Sequence, residues 1–455
     1  MDRHTWFDKL LNLSRPSGPE VQGLVLSGGG SRASFHIGAL RYLYERAGVA
    51  PTCIVGTSAG SIVAAMLSQS LDPKEQAKSL LELEKLWLAM TSQEDMFVEQ
   101  AWFTRLRGQW DDIADLLTQH VLPDTTGEPA ETVVETASDD SPAELVMKAM
   151  ADDPSQDITM TRGILWQLAG SLARIGRAGA GLATSVRGAE RAASAFRPGP
   201  IVKQLLFESS FTPSSVGASG VRLRIAFVDL NSGDLRFMRQ DGVIVDREDH
   251  PIGAEPYDLT LGVWSSCALP GVFRPVKLGD GVYVDGGVRE NVPVEMAVTS
   301  LGVTKPYVIV AGPPGVDTGD YTTKDVVTIL MRVANLVLDE TIQDEVEWAK
   351  AAGACVIQPR VDVHSAMTVD QALLHINRDY GWMRAGEEIT NAPQPARDID
   401  DALIQARCRW ADLVKQPGKR AANVAAVRAQ IHDLLGRADA ALLPPGYEKW
   451  DRSLI

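Results

Sequence analysis

Ser58 stands between two glycines in Gly56-Thr57-Ser58-Ala59-Gly60, at the end of the short apolar run Cys53-Ile54-Val55. A serine in a Gly-x-Ser-x-Gly turn from strand to helix is a nucleophile elbow. The turn is so tight that a side chain two residues either side would collide with the backbone, so both flanking positions must be glycine. The hydroxyl is thereby held out at a helix N-terminus, where the dipole favours developing negative charge. A five-residue pattern this loose also arises by chance, so its meaning depends on partners elsewhere in the chain.

Two more glycine-bearing loops follow predicted strands. Gly28-Gly29-Gly30-Ser31-Arg32 leaves the apolar run at residues 23–27 and precedes a helical pattern. Consecutive glycines let successive N–H groups converge on one anion, either a nucleotide phosphate or the oxyanion of an acyl-transfer intermediate. A dinucleotide fold needs a third glycine and an acidic residue at the end of the next strand. Position 33 is alanine, and the next strand ends in Gly56-Thr57-Ser58 without a carboxylate. Beside a serine elbow, the loop therefore favours the oxyanion.

The third loop, Asp285-Gly286-Gly287, ends the short strand at residues 281–284. Ser58 needs a proton acceptor, because a free hydroxyl is a poor nucleophile. Of the seven histidines, His364 and His375 follow Asp285 and preserve the Ser…Asp…His order of α/β-hydrolases. Neither stands in a glycine-rich or strand-end context. Asp285 is the better candidate, and a histidine triad stays as the alternative.

These loops need a framework. Strand, helix, strand and helix within residues 23–70 read as βαβ units of a parallel sheet. Residues 81–117 read as helical, 221–230 and 234–239 as a hairpin about Asn231-Ser232-Gly233, and 305–311 and 355–357 as further strands. A long helix is predicted over 322–352, with Thr322 and Asp325 as its capping pair. Helices alone are expected from residue 368 onward. Residues 124–157 crowd Glu128, Glu131, Glu135, Asp139 and Asp140 among Ser, Thr and Pro, as in a solvated insertion. Residues 159–207 carry a helical apolar stripe with Arg174, Arg177, Arg187, Arg191 and Arg197. That stretch suits a packed hairpin, a lid or a patch for an anionic membrane surface.

Composition narrows the function. The chain has 455 residues and a formal net charge of −15, which argues against general nucleic-acid binding. Cys53, Cys267, Cys355 and Cys408 lack metal-ligand spacing and fit free thiols in a reducing compartment. Residues 1–19, with Trp6, Phe7, Leu10 and Leu11 on a short amphipathic helix, hold charges and no long apolar core, so no signal peptide is expected. Residues 47–71 are uncharged and long enough to span a bilayer. They contain Pro51 and the elbow, and read instead as a buried strand and helix. The expected location is cytoplasmic.

The chain resembles the patatin-like phospholipases, whose hydrolases use a Ser–Asp dyad. Four blocks match in order: Gly28-Gly29-Gly30-Ser31-Arg32, Gly56-Thr57-Ser58-Ala59-Gly60, the block from Ser265-Ser266-Cys267 to Arg274-Pro275, and Asp285-Gly286-Gly287. The first departs from the family pattern at Ala33, where glycine is usual. The resemblance implies an α/β, three-layer αβα fold with a mostly parallel central sheet, a helical insertion and C-terminal helices. The expected divisions are an N-terminal segment at 1–20, the patatin-like domain at 21–122 and 208–360, the insertion at 123–207 and a helical extension at 361–455. It further implies Ser58 as nucleophile, Asp285 as base and Gly28, Gly29, Gly30 and Arg32 at the oxyanion. The implied substrate is a phospholipid or other acyl ester, met in transient peripheral contact with a membrane, with no metal or cofactor and no protein partner named. An acyltransferase or neutral lipase on the same dyad, or a non-catalytic scaffold of this fold, is the alternative.

Overall fold

β1 (Gln22–Leu26) and β2 (Cys53–Thr57) are short apolar runs without polar alternation, and nearly every residue in them is buried. That is the pattern of strands covered on both faces. The computed structural model describes residues 19–108, 194–205, 211–253, 255–315, 326–416 and 420–454. The predicted N-terminal helix, the acidic stretch 124–157, residues 159–193 of the basic stretch and the Thr322/Asp325 cap lie outside the described residues.

Seven further strands complete the sheet: β3 (Arg222–Asp229), β4 (Leu235–Arg239), β5 (Ile244–Val245), β6 (Val276–Leu278), β7 (Gly281–Asp285), β8 (Lys305–Ile309) and β9 (Cys355–Ile357). Their order is β9-β8-β1-β2-β3-β4-β5, with β7 paired to β3 and β6. From β9 to β3 all neighbours are parallel, and the remaining pairings are antiparallel. The register of β3 decides the site. β2 runs along one edge of β3 until Thr57 stands opposite Ala226, and β4 holds the other edge. β7 takes the edge that β2 leaves, with Asp285 opposite Phe227.

The principal helices are α1 (Ala33–Glu45), α2 (Ala59–Leu67), α3 (Pro73–Leu88), α4 (Leu259–Ser266), α5 (Val326–Ala351), α6 (Gln371–Thr390), α7 (Gln394–Lys415) and α8 (Arg420–Arg437). Val25, Val55 and Val308 share one core with Val346, Trp348 and Ala349 of α5. α6 packs backbone to backbone on α1: a Cβ at Gly38 would lie 1.7 Å from the Arg378 carbonyl oxygen, and one at Gly381 2.1 Å from that of Phe35. The mostly parallel sheet, its covering helices and the C-terminal helices agree with the α/β architecture expected from the sequence.

One expectation is corrected. Residues 81–117 do not form one helix. α3 begins at Pro73, where the Asp72 carboxylate accepts the Lys74 N–H at 2.9 Å, and ends at Leu88. The N–H groups of Thr91 and Ser92 then donate to the Asp95 carboxylate at 2.8 and 3.1 Å, which turns the chain before the extended residues Phe97–Glu99. Such side-chain bonds compete with helix continuation.

The chain divides into two compact units, Met1–Val98 with Pro198–Ile455, and Glu99–Arg197. The first holds the whole nine-stranded sheet and helices α1 to α8, including the residues expected as a C-terminal extension. In the second, the described residues include the helix Ala101–Gly108, whose Trp102 indole N–H donates to the Ser194 carbonyl at 3.0 Å. Among the described residues no helix is long and apolar enough to cross a membrane.

Candidate active site

Ser58 joins β2 to α2 with φ 53° and ψ −129°, a conformation costly for any residue with a Cβ. The flanking glycines leave no alternative. A Cβ at Gly56 would lie 2.6 Å from the Gly60 carbonyl oxygen, and one at Gly60 2.5 Å from those of Leu26 and Ser27. The end of α4 grips the turn: the Ser58 N–H donates to Ser266 Oγ at 2.9 Å, and the Cys267 thiol donates to the Ser58 carbonyl at 3.3 Å. The Ser61 hydroxyl donates to the same carbonyl at 2.6 Å. Ser266 and Cys267 had no role in the sequence reading, although both stand in the third motif block.

β7 brings Asp285 to this serine. Both residues line the same cavity, and Asp285 Oδ1 accepts the Gly287 N–H at 2.8 Å. Burial pushes the carboxyl up to about 6, and the nearby Ser58 hydroxyl and Gly287 N–H hold it below where burial alone would take it. No histidine hydrogen-bonds Ser58 or Asp285 among the described residues. His364 is buried, and desolvation pushes its imidazole down to about 4; Nδ1 lies 3.0 Å from the Ser365 carbonyl and 3.5 Å from Ser31 Oγ. His36, likewise buried and pushed down to about 3, lies 3.5 Å from Ser27 Oγ. His375 is on α6, where burial also lowers it.

The glycine loop lies across from the elbow: a Cβ at Gly28 would come 3.1 Å from Ser58 Cβ. The Gly28 N–H donates to Asn291 Oδ1 at 2.7 Å. Those of Gly29 and Gly30 have no acceptor among the described residues. Gly30 has φ 55° and packs so tightly that a Cβ would lie 2.4 Å from the Ala366 carbonyl oxygen. Ser31 ties the loop to residues 366–368, its hydroxyl donating to the Thr368 carbonyl at 2.7 Å. Arg32 is held sideways. Its Nη2 donates to both Asp362 oxygens at 2.8 and 2.7 Å, and its Nε to the His364 carbonyl at 2.6 Å. Ala33, where the family pattern has glycine, is buried with φ −62° and ψ −11°, ordinary helical values that accept a methyl group.

Ser58, Asp285, Gly28, Gly29, Gly30 and Arg32 line one cavity of about 650 Å³. Apolar walls come from Ile62, Met96, Phe97, Trp264, Val272 and Phe273, and charged ones from Arg32, Arg332, Asp339, Arg360 and Asp362. Phe273 stacks on Phe97 at 5.7 Å between centroids and tilts against Trp264 at 5.1 Å. No group of acids, histidines or cysteines suited to a metal ion occurs among the described residues.

The family model for patatin-like phospholipases matches residues 24–298, more than half of the chain and all four motif blocks. The chain belongs to the patatin-like phospholipase family. Membership supports hydrolysis of lipid esters. No curated protein matches the chain. Among solved structures it is similar to VipD from Legionella pneumophila, at 15% identity over 96% of this chain and 83% of that one, with a TM-score of 0.29. Human GIVD cytosolic phospholipase A2, in complex with methyl gamma-linolenyl fluorophosphonate, is 13% identical over 79% of this chain and 46% of that one, with a TM-score of 0.29. ExoU of Pseudomonas aeruginosa, in its complex with SpcU, is 17% identical over 95% and 69%, with a TM-score of 0.24. The family assignment rests on the match over residues 24–298 and not on these scores.

Proposed function

We propose that the protein hydrolyses an acyl ester of an amphiphilic lipid, as a phospholipase A or lysophospholipase does, through an acyl-enzyme on Ser58 with Asp285 as the general base. The observation that carries this reading is the placement of the strained Ser58 and the buried Asp285, whose pKa is raised to about 6, at adjoining register positions on β3 and in one cavity. An exposed aspartate is a weak base, and burial brings this one toward the range where general-base catalysis is efficient.

As Ser58 Oγ attacks the ester carbonyl, its proton passes to Asp285. The oxyanion forms beside the Gly29 and Gly30 N–H groups, with the N-terminus of α2 behind it adding favourable potential. Asp285 returns the proton to the leaving alkoxide, which departs as the lysophospholipid or, from a lysophospholipid substrate, as the glycerophosphodiester. Water then attacks the acyl-enzyme, Asp285 again takes the proton, and the fatty acid leaves as Ser58 recovers its hydrogen. The apolar walls around Phe97, Trp264 and Phe273 suit the acyl chain, and the charged walls suit the polar part of the lipid. Contact with the membrane on this reading is transient and peripheral.

The test is a serine-reactive fluorophosphonate followed by peptide mapping, together with mass-resolved products from phosphatidylcholine vesicles. A single adduct on Ser58 and release of fatty acid with lysolipid are expected. An adduct on another serine, or intact lipid after incubation, overturns the assignment.

A further inference from the structure

Three glycines in a row do not hold their own shape, because each reaches backbone conformations closed to other residues. Oxyanion donors act only when they stand at hydrogen-bond distance from where the charge forms. Something outside Gly28-Gly29-Gly30 must therefore fix it, and the side chain placed to do so is Asn291. Its Oδ1 accepts the Gly28 N–H at 2.7 Å, the shorter branch of a shared bond whose other acceptor is the Asn291 carbonyl at 3.4 Å. The same oxygen faces Gly287: a Cβ there would lie 3.3 Å from Asn291 Oδ1 and 3.2 Å from Asp285 Oδ1. One amide oxygen thus bonds the donor loop and faces the loop that carries the base.

Asn291 is held in turn. Its own N–H lies 3.2 and 3.1 Å from the two Glu345 oxygens, and the Val292 N–H donates to Glu345 Oε2 at 2.7 Å. Glu345 belongs to α5, so a helix far along the chain fixes the turn from which Asn291 projects. We infer that Asn291, held by Glu345, is the positioning residue of the oxyanion loop: by taking the Gly28 N–H it leaves the Gly29 and Gly30 N–H groups turned to the reacting carbonyl. The inference rests on the hydrolase reading above.

Chemistry explains why an amide serves here. An aspartate would supply the same acceptor, yet its charge would stand beside Asp285 and raise the carboxyl further. The titratable and charged groups around the position are Asp285 on β7, Glu290 and Arg289 on the same loop, Glu345 on α5, and Arg247, which pairs with Glu290 at 2.8 Å; burial raises the carboxyls of Asp285, Glu290 and Glu345.

The test uses the full chain with a soluble short-chain acyl ester. Asn291→Ala is expected to lower kcat about 10²-fold, the scale of losing an oxyanion donor, with KM within about twofold. Asn291→Asp is expected to recover most of that loss at alkaline pH, with its acidic limb moved upward, and Glu345→Gln to fall between wild type and Asn291→Ala. The rate of fluorophosphonate labelling at Ser58 should fall in step with kcat, and residue-resolved exchange of the Gly28 amide should accelerate in Asn291→Ala and slow again in Asn291→Asp. An active wild type with Asn291→Ala within about twofold in kcat overturns the inference alone. So does an Asn291→Asp no better than Asn291→Ala with both melting early, since that marks a merely structural residue. A wild type that neither hydrolyses ester nor labels at Ser58 overturns the hydrolase reading, and the inference with it.

Discussion

Asp285 lies opposite Phe227 on β3, at the register position directly after the one where Thr57 ends the pairing of β2. Ser58 and Asp285 are therefore brought together by the sheet itself, from two strands sharing one edge of a third. Strand pairing fixes such a meeting more tightly than loops do, because each residue along the edge is held by backbone hydrogen bonds. On the proposed reading, the hydroxyl and the carboxylate work without an imidazole between them.

The buried carboxyl predicts how activity follows pH. Asp285 must be ionised to accept the serine proton, so kcat/KM should fall as pH drops through about 6. For stability the sign is reversed. The folded pKa lies above the ordinary 3.8, so the folded protein keeps a proton that the unfolded chain has released, and stability is lost as pH rises from about 4 to about 6. Asp285→Asn should accordingly lower kcat about 10²- to 10⁴-fold while leaving the protein no less stable at pH 7. Denaturant melts and pH–rate profiles of the two proteins check both halves.

Ser58 predicts a second opposition between stability and activity. Its φ of 53° with ψ −129° suits glycine and strains any other residue. Ser58→Ala and Ser58→Gly both remove the hydroxyl and should both abolish hydrolysis and phosphonate labelling. They differ only in the Cβ, so the glycine variant should be more stable by about 1–3 kcal/mol, the usual cost of a backbone held in a sparsely populated region. Urea titration of the two inactive proteins measures the strain without any contribution from the hydroxyl.

Much of the site was legible because its chemistry is local. Gly56 and Gly60 are required by atoms of Leu26, Ser27 and their own turn, and the reading that both must be glycine follows from the tightness of one bend. Asp285 was legible as a carboxylate at a strand end. What escaped acts across the chain: Ser266 reaches Ser58 over 208 positions, Asn291 reaches Gly28 over 263, and Asp362 holds Arg32 over 330. No periodicity or spacing links such pairs, since the fold alone makes them neighbours. The misread helix at residues 81–117 has the opposite cause. There a local bond network centred on Asp95 outweighs an apolar pattern that looks helical.

Ser266→Ala should loosen the elbow from behind. It removes the acceptor of the Ser58 N–H, a partly buried group with no other partner among the described residues. Leaving such a donor unsatisfied costs about 1–3 kcal/mol. Because the lost bond holds the nucleophile, kcat should fall more than KM rises. Ser266→Thr, which keeps the hydroxyl, should retain more activity than Ser266→Ala, and steady-state kinetics beside urea melts would detect a uniform loss of folding instead.

The last prediction concerns Arg32, expected from the motif to assist the oxyanion. Its guanidinium is engaged by a two-pronged bond to Asp362 and a third bond to the His364 carbonyl, which ties the first turn after the glycine loop to residues 362–364. A brace of this kind depends on the planar fork, which lysine lacks. Arg32→Lys and Asp362→Asn should therefore lower kcat to a similar degree, on the order of tenfold given the partly exposed setting, with a smaller effect on KM. Their combination should be little worse than either alone, because both remove one shared interaction. If Arg32 instead touched the oxyanion through its remaining N–H groups, the outcome would split. Arg32→Lys would be severely impaired, Asp362→Asn would stay near wild type, and the double-mutant cycle would show no coupling.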